Sequence, residues 1–204
     1  KEAGFSFTSS SVKAVTQGDI HLQNYKAIDL ILGKQKETKS GIVKKIPEFK
    51  TFPLVLQQKI NAYCQQGGNI MLSGSYIASD MSVQSTDSAF LETVFKINAQ
   101  EKDTVILGGV VYASSNPAYF KGKIRFNYYN TPNPAMYAVD RPDIIQPADT
   151  NAFVFCTFEG SNYAAGIAYK GKHTSCVLSI PFETIKEDHA RHKLMKDMLH
   201  FLFQ

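Results

Sequence analysis

Two short apolar runs with one amphipathic run between them constrain this chain more than anything else in it. Residues 27–32 read Ala-Ile-Asp-Leu-Ile-Leu and stop at Gly33, and residues 69–72 read Asn-Ile-Met-Leu and run into Ser73 and Gly74. Each has the length and the bounding glycine of a buried strand. Between them Thr51 stands as an N-cap with Pro53 near the first turn, and Leu54, Val55, Leu56, Ile60 and Tyr63 follow at helical spacing until Gly67 and Gly68. A capped, glycine-terminated helix between two strands is a crossover, so the two strands should lie parallel and the fold should be α/β.

Further on, Phe90, Leu91, Val94 and Phe95 predict a second helix over 86–95. Then the apolar period changes, and 104–112, 123–128, 152–158, 164–169 and 175–180 all read as strands. Proline-rich stretches at 130–134 and 140–143 are loops, and Tyr169-Lys170-Gly171-Lys172 supplies a hairpin turn. Leu194, Met195, Met198, Leu199 and Leu202 give 187–203 one apolar side, which predicts a closing amphipathic helix. With 204 residues, 44% hydrophobic and 20% charged, and no break in composition, the expectation is a single domain over 1–204. The chain opens on Lys1 without an initiator Met or a signal-like segment, which suggests the C-terminal part of a longer protein.

Charge and cysteine usage narrow the function classes. The net charge of +4 is concentrated in one stretch where Lys34, Lys36, Lys39, Lys44, Lys45 and Lys50 face Glu37 and Glu48, with the rest close to neutral. That is not the broad basic field of a nucleic-acid binder. No apolar run reaches the ~20 residues of a membrane-spanning helix. Cys64, Cys156 and Cys176 form no Cys-x-x-Cys pair. Cys156 and Cys176 sit inside strand-like runs, where buried thiols are expected and a disulfide would require adjacent strands. No motif for a cofactor is present.

The passage from Tyr63 to Gly74, with its helix, Gly67-Gly68 and strand, resembles class I glutamine amidotransferase-like domains. Together with 29–35, and with Ile180-Pro181-Phe182-Glu183 before the terminal helix, it also resembles a C-terminal region of large secreted bacterial proteins labelled xanthan lyases. The resemblance implies a three-layer α/β/α domain with a mainly parallel, flavodoxin-like central sheet, to which the second half adds a β-hairpin or antiparallel extension. It implies a secreted, periplasmic or cell-surface location. It also places a nucleophile on the turn after residues 70–74, where this chain has Ser75 in place of cysteine. Glu183 matches the acid position, while Ile180 or Pro181 occupies the place of the histidine. A serine needs an adjacent base to become nucleophilic, so the triad is expected to be absent.

Other candidates weigh in the same direction. Lys34, Gln35, Ser75 and Tyr76 fall at the ends of the first two strands, where open α/β sheets bind ligands, and are the candidate ligand-binding residues. Gly33-Lys34 lacks the spacing of a phosphate-binding loop. His189, His192 and His200 share a helix face, but Lys196 lies among them, so a solvated face is expected rather than a metal site. Asp140, Asp143 and Asp149 sit beside prolines and suit turn and cap duties better than Ca²⁺ or glycoside chemistry. Tyr119, Phe120, Phe126, Tyr128, Tyr129 and Tyr137 could line a sugar-binding face or be buried. The leading expectation is a non-catalytic accessory or interaction domain of a secreted or cell-envelope bacterial protein. Its partner would be another domain of the same protein, a second copy or a carbohydrate. The alternative is a hydrolase or polysaccharide-active enzyme using Ser75 and the strand-end loops, for which His173 is the base considered.

Overall fold

A computed structural model describes residues 4–40, 46–82, 85–100, 109–112 and 116–204. The chain begins with α1 (Val12–Gln17), whose N-cap Ser11 accepts from the Ala14 amide and whose last turn ends at Gly18 in the left-handed region. A 3-10 turn (Leu22–Asn24) leads into β1 (Ala27–Gly33), and a two-stranded ribbon of β2 (Thr38–Ser40) and β3 (Ile46–Phe49) follows. Next come α2 (Leu54–Gln65), β4 (Asn69–Gly74), α3 (Ile77–Met81) and α4 (Ser85–Phe90), the last running into a π-helical turn (Leu91–Phe95). The second half holds β5 (Ile97–Ala99), β6 (Gly109–Tyr112), β7 (Ile124–Asn127), β8 (Ile145–Pro147), β9 (Ala152–Phe158), β10 (Ala164–Lys170) and β11 (Thr174–Leu178). A 3-10 turn (Phe182–Thr184) and α5 (Asp188–Leu202) complete it.

Nine strands form one sheet in the order β1-β4-β11-β10-β9-β6-β7, with β5 and β8 attached beside β10. The crossover read from the sequence is present: β1 pairs in parallel with β4, Leu30 opposite Leu72, and β4 pairs in parallel with β11. All other neighbours in this sheet run antiparallel. The sheet is therefore mixed and curls into a half-barrel, with few helices around it. This overturns the three-layer α/β/α, mainly parallel, flavodoxin-like expectation. The physical reason lies in the connections. Residues 159–163 and 171–173 are all that join β9 to β10 and β10 to β11, far short of the dozen or so residues a parallel crossover needs. What was expected as a small antiparallel addition is most of the sheet.

Alternation along the strands sorts the core into two clusters, one on each face. Met71, Phe155, Phe158, Cys176 and Leu178 face one side and are covered by Ala190, Leu194, Met198, Phe201 and Leu202 of α5. Ile70, Leu72, Ile167 and Val177 face the other, against Leu56, Ile60 and Tyr63 of α2 and Leu91, Val94 and Phe95 of the π turn. Aromatic stacking tightens the first cluster: the ring centres of Phe120 and Phe155 lie 4.7 Å apart, with planes 12° apart. Gly68 is required where α2 meets β4, because a Cβ there would come within 2.2 Å of the Tyr63 ring.

Element boundaries from the sequence agree to within a residue or two at β9, β10, β11 and α5. The region expected as one helix over 86–95 is α4 plus the π turn. Residues 104–108 of an expected strand, together with Gly41, Lys44 and Lys45, lie outside the described residues. The expected loop after Gly33 contains β2 and β3, and β5 and β8 were not anticipated. Three-residue strands such as Ile-Asn-Ala and Ile-Gln-Pro are too short to show a period.

Candidate functional site

The carboxyl ends of β1 and β4 bring together the residues singled out at the sequence level. Ser75 follows β4 directly and is 1% exposed. Its amide donates to the Gly33 carbonyl at 3.0 Å, and its hydroxyl donates to the same oxygen at 3.4 Å. Gly33 has φ +57°, and a Cβ there would sit 3.1 Å from Tyr137 Oη and 3.5 Å from Glu183 Oε1. Tyr137 donates to Glu183 Oε1 at 2.5 Å. Burial, and then this bond to Glu183, pushes the Tyr137 phenol above its ordinary range. Lys34 donates to the Ala138 carbonyl at 2.8 Å and pairs with Asp140 at 2.6 Å. Gln35 is exposed, and Tyr76 is half-buried under the Lys36 ammonium, 5.1 Å from its ring centre.

Residues 129–143 thus form a strap across these strand ends. Val139 anchors it in the core and donates to the Tyr129 carbonyl, while Tyr129 donates to Thr184. At its far end the buried Asp143 carboxylate accepts from the Ala78 amide at 2.6 Å and the Ser79 amide at 3.3 Å, capping α3. These N–H groups belong to the third and fourth residues after Ser75, so the strap's carboxylate ties residues 129–143 to the start of α3. Burial raises the Asp143 carboxyl to about 6 despite those bonds.

Among the described residues no histidine is bonded to Ser75. His173 precedes Thr174, whose partner is Asn69 at the opposite end of β4; six residues of strand separate the two, roughly 20 Å. Its Nε2 lies 2.6 Å from the Val94 carbonyl and therefore carries the proton, and burial pushes its pKa down. His189, His192, Lys196 and His200 all lie on the exposed side of α5. Among the described residues no group of three or more His, Cys, Asp or Glu side chains is placed to hold a metal ion. Asp140 is the partner of Lys34, and Asp149 accepts from the Asn151 amide at 2.9 Å and pairs with Lys96 at 3.6 Å.

Of the aromatic residues considered for a sugar-binding face, Phe120, Phe126 and Tyr128 are buried, while Tyr137 is 39% exposed. Cys156 and Cys176 are free and buried. β10 lies between their strands, which separates them by two strand spacings, about 9–10 Å, too far for a disulfide. Burial holds both thiols well above their ordinary pKa and raises Cys64 to about 12. No described helix is long and apolar enough to cross a membrane.

Sequence reasoning missed the strap. Asn130-Thr131-Pro132-Asn133-Pro134 and Asp140-Arg141-Pro142-Asp143 read as loops, which they are. The signal available was Asp143 itself, an acid beside a proline with cap chemistry but no helix of its own to cap.

No protein-family model matches the chain. No curated protein matches it either. Among solved structures it is similar to the mmIFT52 N-terminal domain, with 11% identity and a TM-score of 0.59 over 99% of this chain and 86% of that one. It is also similar to the β-galactosidase from Rahnella sp. R3, with 18% identity and a TM-score of 0.51 over 90% of this chain. The chain spans 23% of that enzyme's length. At these identities the likeness concerns the fold alone. These neighbours and the mixed, curled sheet overturn the glutamine amidotransferase and flavodoxin-like resemblance. The matches lend no support to the xanthan lyase label or to the secreted setting that came with it.

Proposed function

We propose that this chain is a non-catalytic accessory or interaction domain. The observation that carries the reading is the state of the Ser75 turn. The hydroxyl is buried and donates to the Gly33 carbonyl, and the His173 imidazole is fixed at the far end of the same strand pair. A serine without an adjacent imidazole to take its proton is a poor nucleophile for acyl transfer.

The test is labelling with a fluorophosphonate probe, alongside a panel of ester and glycoside substrates. The expected result is no labelling and no turnover, with Ser75→Ala indistinguishable from the parent protein. Covalent labelling that disappears in Ser75→Ala would establish a hydrolase and end the accessory reading. Partners in this reading are other domains of the same protein, a second copy, or a carbohydrate, and a glycan array separates the last from the first two.

A further inference from the structure

The exposed side of α2 differs from an ordinary solvated helix face. Across α1, the 3-10 turn 22–24 and α2, the charged side chains are Lys13 and Lys59, with no acid among them. Leu54 and Val55, in the first turn of α2, are 66% and 47% exposed. Beside them runs an open groove of about 380 Å³ between Ile20, His21 and Gln23 on one wall and Val55, Gln58 and Lys59 on the other. Val12 on α1, which packs against α2, is exposed as well. Exposed apolar side chains set among amides, with few charges, are the make-up of an interface centre rather than of free surface.

The electrostatics of the groove favour an acidic occupant. α2 begins at Pro53, which offers no side-chain cap, and its first turn holds no acidic residue. The Leu54 and Val55 amides have no acceptor among the described residues, and the positive end of the helix dipole points the same way. Lys59 lines the groove, His21 forms its rim and Lys13 stands exposed on α1, and residues 12–24 and 54–65, which carry its walls, hold one acid, the exposed Asp19. A second copy would present this same face, on which Lys13 and Lys59 outnumber Asp19, so it would bring few carboxylates to meet them.

We propose that this groove docks a short acidic segment of a partner protein. An apolar side chain of the segment lies on Leu54 and Val55, and its carboxylates meet Lys59 and the open amides of α2. This rests on the interaction-domain reading and names the chemistry of its partner.

A random-peptide display library sorted on the whole chain tests it, with one enriched peptide then synthesised and titrated by fluorescence polarisation. The expected consensus pairs Asp or Glu with a large apolar residue. Val55→Asp should weaken the synthetic peptide by about tenfold or more. An acid in the first turn complements the helix dipole, so this variant keeps its fold, which circular dichroism verifies. Lys59→Glu should turn the library's preference towards basic sequences. A consensus without acids, binding indifferent to both substitutions, no enrichment at all, or a dimer formed through this face would each overturn the groove assignment. None of those results bears on Ser75 labelling, so the docking site can fail while the non-catalytic reading stands, and the reverse.

Discussion

Asp143 shows how one side chain can tie a long loop to a helix start. Its carboxylate is buried against the start of α3, and its folded pKa is raised to about 6 from 3.8. A raised carboxyl binds its proton more tightly in the folded protein than in the unfolded chain. Its contribution to stability is therefore complete below about pH 4 and is lost as the pH rises through about 6. Asp143→Asn keeps an oxygen acceptor for the Ala78 amide and removes the titration. The expected outcome is a flatter stability profile between pH 4 and 6.5 by chemical denaturation, and a gain on the order of 1–2 kcal/mol at pH 7.5. A variant as pH-dependent as the parent would show that Asp143 is not the titrating group. Ser73 makes a simpler case. Its hydroxyl is buried and has no hydrogen-bond partner among the described residues, so Ser73→Ala should be neutral or stabilising by up to ~1 kcal/mol in urea.

At the scale of elements, the joint between α2 and β4 is closely packed. The Tyr63 hydroxyl donates to the Tyr25 and Asn69 carbonyls and accepts from the Asn69 amide, which fixes its ring over Gly68. A methyl at residue 68 would drive that ring from its bonds. Gly68→Ala should therefore cost about 1–3 kcal/mol, read as a lowered denaturation midpoint with an unchanged m-value. This joint was legible in the sequence, because a Gly-Gly pair directly after a helical run has few other uses. The strap was not. Its fifteen residues have no period, and single bonds involving Ala138, Asp140, Tyr137 and Asp143 tie them to residues between 46 and 106 positions away in the chain. Local pattern carries no trace of contacts at that range. Ser75, Lys34 and Glu183 could be placed near one another from the strand ends, but that the Ser75 hydroxyl, the Lys34 ammonium and Glu183 Oε1 have internal partners could not.

On the scale of the whole molecule, one sheet serves both cores. Phe155 packs with the α5 cluster and Ile60 with the α2 cluster, and both are fully buried. Because the clusters share β4, β10 and β11, loosening either side should loosen the common sheet. Phe155→Ala should cost about 3–5 kcal/mol and Ile60→Ala about 2–5 kcal/mol. Each should move one transition that fluorescence and circular dichroism report together; two separated transitions would show the faces to be independent.

The sequence by itself determined what is local: the parallel β1–α2–β4 crossover, the hairpin at Gly171 and the amphipathic α5. Those features depend on side-chain period, caps and glycines within a dozen residues of each other. Only the tertiary structure decided that the sheet is mixed and curled rather than mainly parallel, because strand order follows from which distant edges bury the most apolar surface together. It alone also decided that the strap fills the strand ends and that the first turn of α2 remains uncovered, since both depend on how far the rest of the chain reaches once the two cores have closed.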